Sequence, residues 1–358
     1  MTDGRLNILV LGDSRSFHIE RYVTELRHQN CHVMVASLEA GTMHHYTLKS
    51  RTIIRSFWYA LAATEVRAVI KKFKPDIIDV HFASGYGFTA ALAQARSFAP
   101  VFLHLWGSDV LIVPEKSRFH RRKTAYALAQ ADFVTADSQF LLDEAAELAR
   151  IRRSRVIPWG MERRFLNLHR TDYSLGKPLR IIVPRPQEKI YNNMFVVRAL
   201  EPLINSGQVR VTFPAWGSLL GHFRLNSRTL VDDRLDFYEK LSRADFLALM
   251  ASHDVYLSSA VSDSSPATLI EAMGLGLIPI SGDIPGVREW LHDGQGYLFD
   301  LYRAEQLRNR IAALIDTGDE HREMRERNLA RVKASAIFED NVAQTIAIMR
   351  ELIEERKR

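Results

Sequence analysis

The feature that most constrains the fold is a repeated alternation of short apolar runs with segments of helical periodicity. Residues 6–11 form an apolar run, residues 19–26 place apolar side chains at helical spacing, and a second strand-like run begins at His32. A strand, a helix and a strand within about 35 residues form the repeating unit of a parallel sheet. The alternation recurs along the chain, so we expect an α/β protein.

A polar segment at residues 170–178, containing Gly176 and Pro178, interrupts this alternation and is typical of a linker. The alternation starts again after the segment. We therefore expect two doubly wound, Rossmann-like domains, residues 1–172 and 173–338, with ligand bound between them at the carboxyl ends of the strands.

Three helices are predicted from the pattern of residues. Residues 52–72 form a helix that ends before Pro75, because proline disfavours helix in the residue that precedes it. An alanine-rich segment predicts a helix over residues 88–95. Residues 339–358 carry an amphipathic stripe, and we expect this last helix to pack back on the N-terminal domain.

Composition places the chain among globular proteins. Of its 358 residues, 47% are hydrophobic and 25% are charged, which excludes disordered and fibrous classes. The single cysteine, Cys31, excludes an internal disulfide and a cysteine-built zinc site, and it fits a reducing compartment. No basic-then-apolar leader precedes Asn7, so we expect no secretory signal and a cytoplasmic protein.

The net charge of +6 is unevenly distributed. Residues 1–170 carry 24 Lys and Arg against 16 Asp and Glu, whereas residues 171–358 carry 24 against 26. The basic runs and their neighbouring aromatic side chains are residues 67–74, 118–123 and 150–155, Arg51, Arg55 and residues 57–59. Two interpretations stay open: docking on an anionic membrane surface, or solvated faces with the aromatic rings in the core. No nucleic-acid recognition module is present, so we expect no nucleic-acid partner.

The most informative segment is residues 258–290, SSAVSDSSPATLIEAMGLGLIPISGDIPGVREW. A polar loop leads to Pro266, which the first turn of a helix tolerates, with Ser265 as the predicted N-cap and Gly276 as the stop signal. The N-terminal end of a helix, with its unpaired N–H groups and positive dipole end, is a ready site for a diphosphate.

Polar side chains surround this helix start. Ser264, Ser265 and Thr268 supply hydroxyl groups beside it. Glu271 lies about one and a half turns into the helix, where its carboxylate can accept hydrogen bonds from the vicinal hydroxyls of a ribose, and Asp263 can hold a second polyol. The alternative is that both acids are ordinary capping or first-turn residues that complement the helix dipole.

The segment resembles the signature of family 4 of the glycosyltransferases, retaining enzymes of the GT-B fold that use nucleoside-diphosphate sugars. The signature is an acid, seven residues and a glutamate followed by Ala-Met, and here it runs from Asp263 to Glu271-Ala272-Met273. The first acid is usually glutamate in the family, and Asp263 is one methylene shorter. Residues 74–81 and 106–109 resemble further family segments in the right order.

The resemblance implies roles for two cations after the first strand of the second domain. In the family, an arginine at the position of Arg185 and a lysine about five residues later clamp the donor diphosphate and stabilise the leaving group. Lys189 stands one residue early, and the alternative for it is a solvated loop lysine. By the same resemblance Asp263, Glu271 and Arg185 are the expected catalytic residues, and Lys189 joins the serine and threonine hydroxyls in binding the donor.

Three loops of the N-terminal domain, residues 12–18, 82–88 and 106–109, are the candidates for binding the acceptor. The loop after the first strand contains Gly12, Ser16 and His18 but no GxGxxG fingerprint, which argues against a dinucleotide oxidoreductase. The resemblance adds Trp106 and Asp109 in the third loop. Retaining members of this fold need no protein base, because a phosphate oxygen takes the acceptor proton. No Asp-x-Asp stands in a metal-binding context, so we expect no metal and no cofactor.

The sequence therefore predicts a retaining glycosyltransferase of the GT-B fold. It would move a sugar from a nucleoside-diphosphate donor, UDP- or GDP-linked, to a hydroxyl acceptor: a glycan, a lipid-linked molecule or a small molecule. A peripheral position on the inner face of the membrane would suit the lipid-linked case. The alternatives are an epimerase or phosphorylase of the same fold, although a phosphorylase needs a pyridoxal-phosphate lysine and a longer chain, and a non-catalytic anion- or membrane-binding protein.

Overall fold

Every strand pair in the computed structural model is parallel, as the alternation of strands and helices predicts. The structure describes residues 5–41, 43, 45–49, 57–292, 294–317 and 321–358. The chain divides into two compact units, Met1–Pro158 with Glu339–Arg358, and Trp159–Phe338. The division falls at Pro158, upstream of the predicted linker.

The first unit is built on a parallel sheet of seven strands. The strands are β1 (Asn7–Leu11), β2 (His32–Ser37), β3 (Tyr46–Thr47), β4 (Ile77–His81), β5 (Val101–His104), β6 (Phe133–Ala136) and β7 (Ser154–Val156). Their spatial order is β3-β2-β1-β4-β5-β6-β7. Strands β2 and β3 are added on one side of β1 and strands β4 to β7 on the other, so the strand order reverses between β1 and β4. In such doubly wound sheets ligands bind outside the carboxyl ends of the strands near that reversal.

Helices cover both faces of this sheet. They are α1 (Phe17–His28), α2 (Trp58–Phe73), α3 (Phe88–Leu92), α4 (Ser108–Leu111), α5 (Arg118–Gln130), α6 (Gln139–Leu148) and, from the C-terminal end, the helix Phe338–Lys357. The predicted helix over residues 52–72 begins at Trp58 in the described part, and Thr52, Arg51 and Arg55 lie outside the described residues. The predicted helix at 88–95 is shorter and follows a π-helix, Phe82–Gly87.

The second unit repeats the architecture with six parallel strands. The strands are β8 (Leu179–Ile182), β9 (Val209–Pro214), β10 (Asp236–Tyr238), β11 (Val255–Ser258), β12 (Ile278–Gly282) and β13 (Tyr297–Phe299). Their order is β10-β9-β8-β11-β12-β13, with the reversal between β8 and β11. The loops that follow these two strands therefore meet at one edge of the sheet.

The helices of the second unit complete the doubly wound arrangement. They are α7 (Asn193–Asn205), α8 (Leu220–Val231), α9 (Arg243–Ala251), α10 (Ala267–Leu275), α11 (Pro285–Arg288), α12 (Ala304–Thr317) and α13 (Arg322–Ser335). The C-terminal helix Phe338–Lys357, described above with the first unit, is numbered α14. Among the helices that the structure describes, none is long and apolar enough to cross a membrane. The two sheets with flanking helices confirm the predicted fold class.

Candidate functional site

Helix α10 begins at Ala267, immediately after the polar loop, with Pro266 in the N-cap position at φ −63° and ψ 111°. The prediction of Ser265 as the N-cap is wrong. Its hydroxyl accepts a hydrogen bond from the indole N–H of Trp290 at 2.8 Å. Trp290 is buried, and a buried indole N–H needs a partner, so this bond takes priority over capping.

The loop before α10 is pressed against α11. The α-carbon of Gly286 lies so close to the Ser264 carbonyl that a Cβ atom would stand 1.7 Å from its oxygen. Only glycine permits that approach. The backbone N–H of Ser264 donates to the carboxylate of Asp263 at 3.0 Å. The loop is therefore fixed by its close contact with α11 and by the hydrogen bond between Ser264 and Asp263.

Two of the predicted catalytic residues, Arg185 and Asp263, lie together beyond the carboxyl ends of β8 and β11, where the strand order reverses. Arg185, which follows β8, donates from Nη2 to Oδ2 of Asp263 at 2.5 Å. The guanidinium also lies over the ring of Tyr191, 5.2 Å from its centroid. Burial acts to lower the pKa of Arg185, but the adjacent Asp263 carboxylate together with Tyr256 and Tyr191 raises the pKa above its usual value. Arg185 is therefore a fixed cation beside the α10 loop.

The third predicted catalytic residue, Glu271, forms part of a buried network. Its Oε1 lies 2.6 Å from Nη2 of Arg243, and its side chain is only 2% exposed. Arg243 also holds Glu162, with Nη2 to Oε2 at 2.8 Å and Nε to Oε1 at 3.3 Å. Burial acts to lower the pKa of Arg243, but Glu271 and Glu162 raise it above its usual value. One cation thus neutralises two buried carboxylates in part.

The second carboxylate oxygen of Glu271 is different. Oε2 is buried and has no hydrogen-bond partner among the residues that the structure describes. A buried carboxylate oxygen without a partner carries a large desolvation cost, which a donor from a ligand would remove. Oε2 therefore keeps an acceptor position that no described residue fills.

Sequence reasoning missed Arg243 and Glu162. Arg243 opens α9 and Glu162 follows Gly160 near the start of the second unit, far apart in sequence from each other and from Glu271. No periodicity or spacing relates these positions, and only the folded chain brings them together.

The remaining donor-side residues lie around the same loop. The Thr268 hydroxyl is 3.3 Å from the phenol oxygen of buried Tyr256 in β11. Lys189 is exposed, in a short 3-10 turn over Lys189–Tyr191. That turn is fastened to the loop after β11, because the Ser259 hydroxyl donates to the Tyr191 carbonyl at 2.9 Å.

In the first unit, the predicted acceptor residues cluster at the carboxyl edge of the sheet. The rings of His18 and Trp106 meet edge to face with centroids 5.6 Å apart. Gly12 lies at the end of β1, where its backbone N–H donates to the Ala36 carbonyl at 3.3 Å, and Ser16 precedes α1. The predicted acceptor loops after β1 and β5 are thus neighbours.

Asp109 is placed as a support of this edge. It is fully buried, and its two carboxylate oxygens accept the backbone N–H groups of Ala83 at 2.7 Å and Trp106 at 2.9 Å. Burial raises the pKa of Asp109 to about 6, although these N–H bonds act to lower it. Its carboxylate therefore ties the loop after β4 to the loop after β5.

Among the described residues, Asp79, His81 and His104 could offer three ligand atoms to a metal ion, and these atoms lie within 4.8 Å of one another. The cluster is buried between the sheet and Tyr22 of α1, with His104 Nε2 2.9 Å from Asp79 Oδ1. Burial lowers the pKa of His81 to about 3. Burial would raise the pKa of Asp79, but His104 and His81 together lower it.

Two family models match the chain. The first, Glycosyl transferase 4-like, matches residues 7–138, and the second, Glycosyl transferases group 1, matches residues 224–331. The second match includes residues 258–290, the segment that contains α10. The two matches fall separately on the first and second units.

Known proteins agree with these matches. A glycosyltransferase assigned to teichuronic acid biosynthesis in Bacillus subtilis, TuaC, is 27% identical over 261 residues, 68% of this chain and 64% of the relative. The chain thus matches less than two thirds of that relative's length. HepE of Anabaena, solved with UDP and glucose, superposes with a TM-score of 0.79 at 16% identity, over 97% of this chain and 100% of HepE.

A second solved structure extends the likeness in fold. Sucrose-phosphate synthase from Thermosynechococcus elongatus superposes with a TM-score of 0.81 at 15% identity, over 98% of this chain and 100% of the synthase. At such identities the likeness concerns the fold alone. The first unit is therefore similar to the glycosyl transferase 4-like family and the second unit to the group 1 glycosyltransferases, and the chain has the GT-B fold.

Proposed function

We propose that the chain transfers a sugar from a nucleoside-diphosphate sugar to a hydroxyl acceptor with retention of anomeric configuration. The observation that carries the proposal is the Glu271 carboxylate, which is buried, bound to Arg243 on one oxygen and without a partner on the other among the described residues. A ribose has the vicinal hydroxyls that such an oxygen can accept from. The donor nucleoside is therefore assigned to the start of α10.

Arg185 is assigned to the donor diphosphate. A departing nucleoside diphosphate gains negative charge, and a cation already fixed in place stabilises it most where water is excluded. Asp263 holds Arg185 at 2.5 Å and is itself 21% exposed, so its carboxylate is also available to a sugar hydroxyl. Lys189, Ser264, Ser265 and Thr268 complete the donor site; Ser265 keeps its O–H free to donate, because its bond with Trp290 uses the oxygen as acceptor.

The proton of the acceptor hydroxyl is assigned to a phosphate oxygen of the leaving group and not to a protein base. The placement of Asp109 supports this assignment, because both of its oxygens already accept backbone N–H groups. Gly12, Ser16, His18 and Trp106 form the acceptor surface in this proposal. We propose that the reaction needs no metal ion.

UDP is the first donor nucleotide to test. HepE, which shares the fold, was solved with UDP and glucose, and TuaC is assigned to teichuronic acid biosynthesis. We extend both observations to this chain as a UDP-sugar donor and a glycan or lipid-linked acceptor.

A basic and apolar surface of the first unit favours an acceptor that lies at a membrane. Because α2 and α5 lead into β4 and β6, their first residues lie at the carboxyl edge of the sheet, beside the acceptor loops. Phe119 is 59% exposed and Phe57 is 55% exposed there. We call this surface the basic–aromatic edge; it comprises Phe57, Leu61, Ile112, Lys116, Arg118, Phe119, Arg121 and Arg122, all exposed. Exposed aromatic rings among cations are typical of proteins that dock on anionic lipid, at the cytoplasmic face in this proposal.

The proposal is tested by replacing Glu271. We expect Glu271→Ala and Glu271→Gln to lower kcat/KM for sugar transfer from UDP-glucose by about a hundredfold or more, the loss expected for a charge-assisted hydrogen bond to the donor. Glu239→Gln, an exposed acid of the same unit, is the matched control and should be fully active. Circular dichroism shows whether each variant is folded.

Three results would count against the proposal. A folded Glu271→Ala enzyme with full activity removes the donor assignment. A sugar product that appears without acceptor indicates an epimerase. A protein whose melting temperature no nucleoside diphosphate raises is a non-catalytic binding protein. Proton NMR of the new glycosidic bond in the first-formed product reports retention or inversion of the anomeric configuration directly.

A further inference from the structure

The first unit contains a large open pocket that the proposed function does not use. Its volume is about 750 Å³, and it is lined by Arg96, Arg152, Arg153 and Arg356, with the ring of Tyr126 on one side. We call it the arginine pocket. All of these residues belong to the first unit.

The arginine pocket lies at the amino edge of the sheet. Its lining residues Pro100, Asp132 and Arg153 come immediately before β5, β6 and β7. The predicted acceptor loops follow β1, β4 and β5 and therefore lie at the opposite, carboxyl edge. The pocket is separate from the acceptor loops of the proposed reaction.

Contacts with neighbouring groups hold three of the four guanidinium groups in place. Arg96 Nε donates to Asp132 at 2.6 Å, and Arg153 Nη1 donates to Glu355 of α14 at 2.6 Å. Arg356 donates to the carbonyl oxygens of Arg96 at 2.7 Å and Ser97 at 3.0 Å. Each guanidinium carries more N–H donors than these contacts use, so the pocket wall keeps donors for a ligand.

The fourth arginine, Arg152, is exposed and makes no ion pair or hydrogen bond within the part of the chain that the structure describes. Four arginines therefore face two lining carboxylates, Asp132 and Glu355, which leaves an excess of positive charge in the pocket. Guanidinium groups recognise phosphate oxygens with paired, charge-assisted hydrogen bonds.

We propose that the arginine pocket binds a phosphate group of a second ligand, distinct from the sugar donor. Two sources have this chemistry: a soluble phosphate compound, and the headgroup of an anionic phospholipid. The partly exposed ring of Tyr126 and the side chain of Leu352 give the pocket an apolar side, against which the remainder of either ligand can pack.

Pyrophosphate is the probe for the soluble source, measured by isothermal titration calorimetry in an Arg185→Gln background. That background removes the proposed donor cation, so the remaining binding reports on the arginine pocket. We expect Arg152→Gln to weaken binding about tenfold, because it removes charge-assisted hydrogen bonds without breaking an ion pair of the protein. Lys71→Gln/Lys72→Gln is the control for general charge: both lysines are exposed in the same unit, do not line the pocket, and should leave affinity unchanged.

Vesicles of phosphatidylglycerol, compared with phosphatidylcholine, are the probe for the lipid source. The site is assigned to a lipid headgroup if Arg152→Gln loses binding to phosphatidylglycerol vesicles and the Arg185→Gln parent does not bind pyrophosphate. The site is assigned to a soluble compound if Arg152→Gln loses binding to pyrophosphate alone. The proposal is overturned if Arg152→Gln matches its parent within about twofold for both probes. Sugar transfer by the enzyme with Arg185 intact is a separate readout, so failure of this proposal leaves the donor site untouched.

Discussion

At the scale of single residues, the central feature is one arginine shared by two buried carboxylates. Arg243 contacts Glu271 at 2.6 Å and Glu162 at 2.8 Å, while the Glu271 side chain is nearly inaccessible to solvent. A carboxylate in such a position keeps its charge only when a cation is fixed beside it. Arg243 is therefore the positioning residue for Glu271, and Glu162 in turn orients Arg243.

Replacing Arg243 should separate positioning from chemistry. We expect Arg243→Gln to raise KM for the donor about tenfold or more with a smaller change in kcat, because Glu271 loses the contact that fixes its rotamer. The free energy of unfolding should fall by about 3 kcal/mol, since the variant leaves a buried charge without its partner. Steady-state kinetics and urea unfolding measure the two effects.

Two further variants distinguish this role from a purely structural one. Arg243→Lys keeps the charge and should restore part of the donor KM, whereas Glu162→Gln should shift KM in the same direction by a smaller factor. A fall in kcat with KM unchanged in Arg243→Gln would contradict the positioning role.

The residues of this site differ in how far the sequence reveals them. Asp263 and Glu271 stand at a fixed spacing around a recognisable helix start, whereas Arg185 is predicted only through the family resemblance of the loop after β8. Arg243 and Glu162 belong to the site only through packing of α9 and the start of the second unit. Ser265 was predicted to cap the helix because serine is a common N-cap residue, but its hydroxyl instead accepts a hydrogen bond from the buried indole of Trp290.

At the scale of elements, α10 depends on how it ends as well as on how it begins. Gly276 has φ +82°, and a Cβ atom at this position would lie 2.9 Å from the imidazole of His169. His169 is held there by the Gly274 carbonyl at 2.9 Å. The helix that carries Glu271 is thus stopped by a residue that only glycine can supply without strain.

A pair of glycine variants tests the stop. We expect Gly276→Ala to lower the free energy of unfolding by more than about 1 kcal/mol, because alanine resists positive φ and also meets His169. Gly221→Ala is the control: Gly221 lies in α8 with open space around its missing Cβ, and alanine there should stabilise the protein by up to about 1 kcal/mol. Urea unfolding of both variants measures the contrast, and equal effects would show that the geometry at Gly276 is unimportant.

Elements were predictable where periodicity encodes them. The parallel strands and their order of appearance follow from apolar runs and intervening helices. The segment after β4 was not predictable in the same way: the Ala-rich pattern indicates a helix at 88–95, whereas the chain first forms a π-helix over Phe82–Gly87. A π-helix adds a residue to a turn, and a pattern based on 3.6 residues per turn does not contain that information.

At the scale of the whole molecule, the uneven charge of the sequence has a structural counterpart in the first unit. Exposed cations are found at both edges of its sheet: beside aromatic rings in the basic–aromatic edge, and around a cavity in the arginine pocket. Because these surfaces lie at opposite edges of one sheet, a flat membrane against one of them leaves the other facing away. Vesicle binding by variants of each surface therefore decides which edge faces lipid.

We predict that the basic–aromatic edge binds anionic vesicles. Phe119→Ser/Arg122→Gln should reduce cosedimentation with phosphatidylglycerol vesicles about tenfold at physiological salt, because it removes one ring and one cation, and a cation near such a surface contributes about 1 kcal/mol. Tyr302→Ser/Arg303→Gln makes the same kind of change in the second unit, where Tyr302 is 96% exposed, and should bind as the unaltered protein does. Raising the salt to about 0.5 M should weaken binding of the unaltered protein, since screening shortens the reach of the charges. Equal binding by both double variants, or binding that ignores salt and lipid charge, would remove the membrane from the proposed reaction and leave a soluble acceptor.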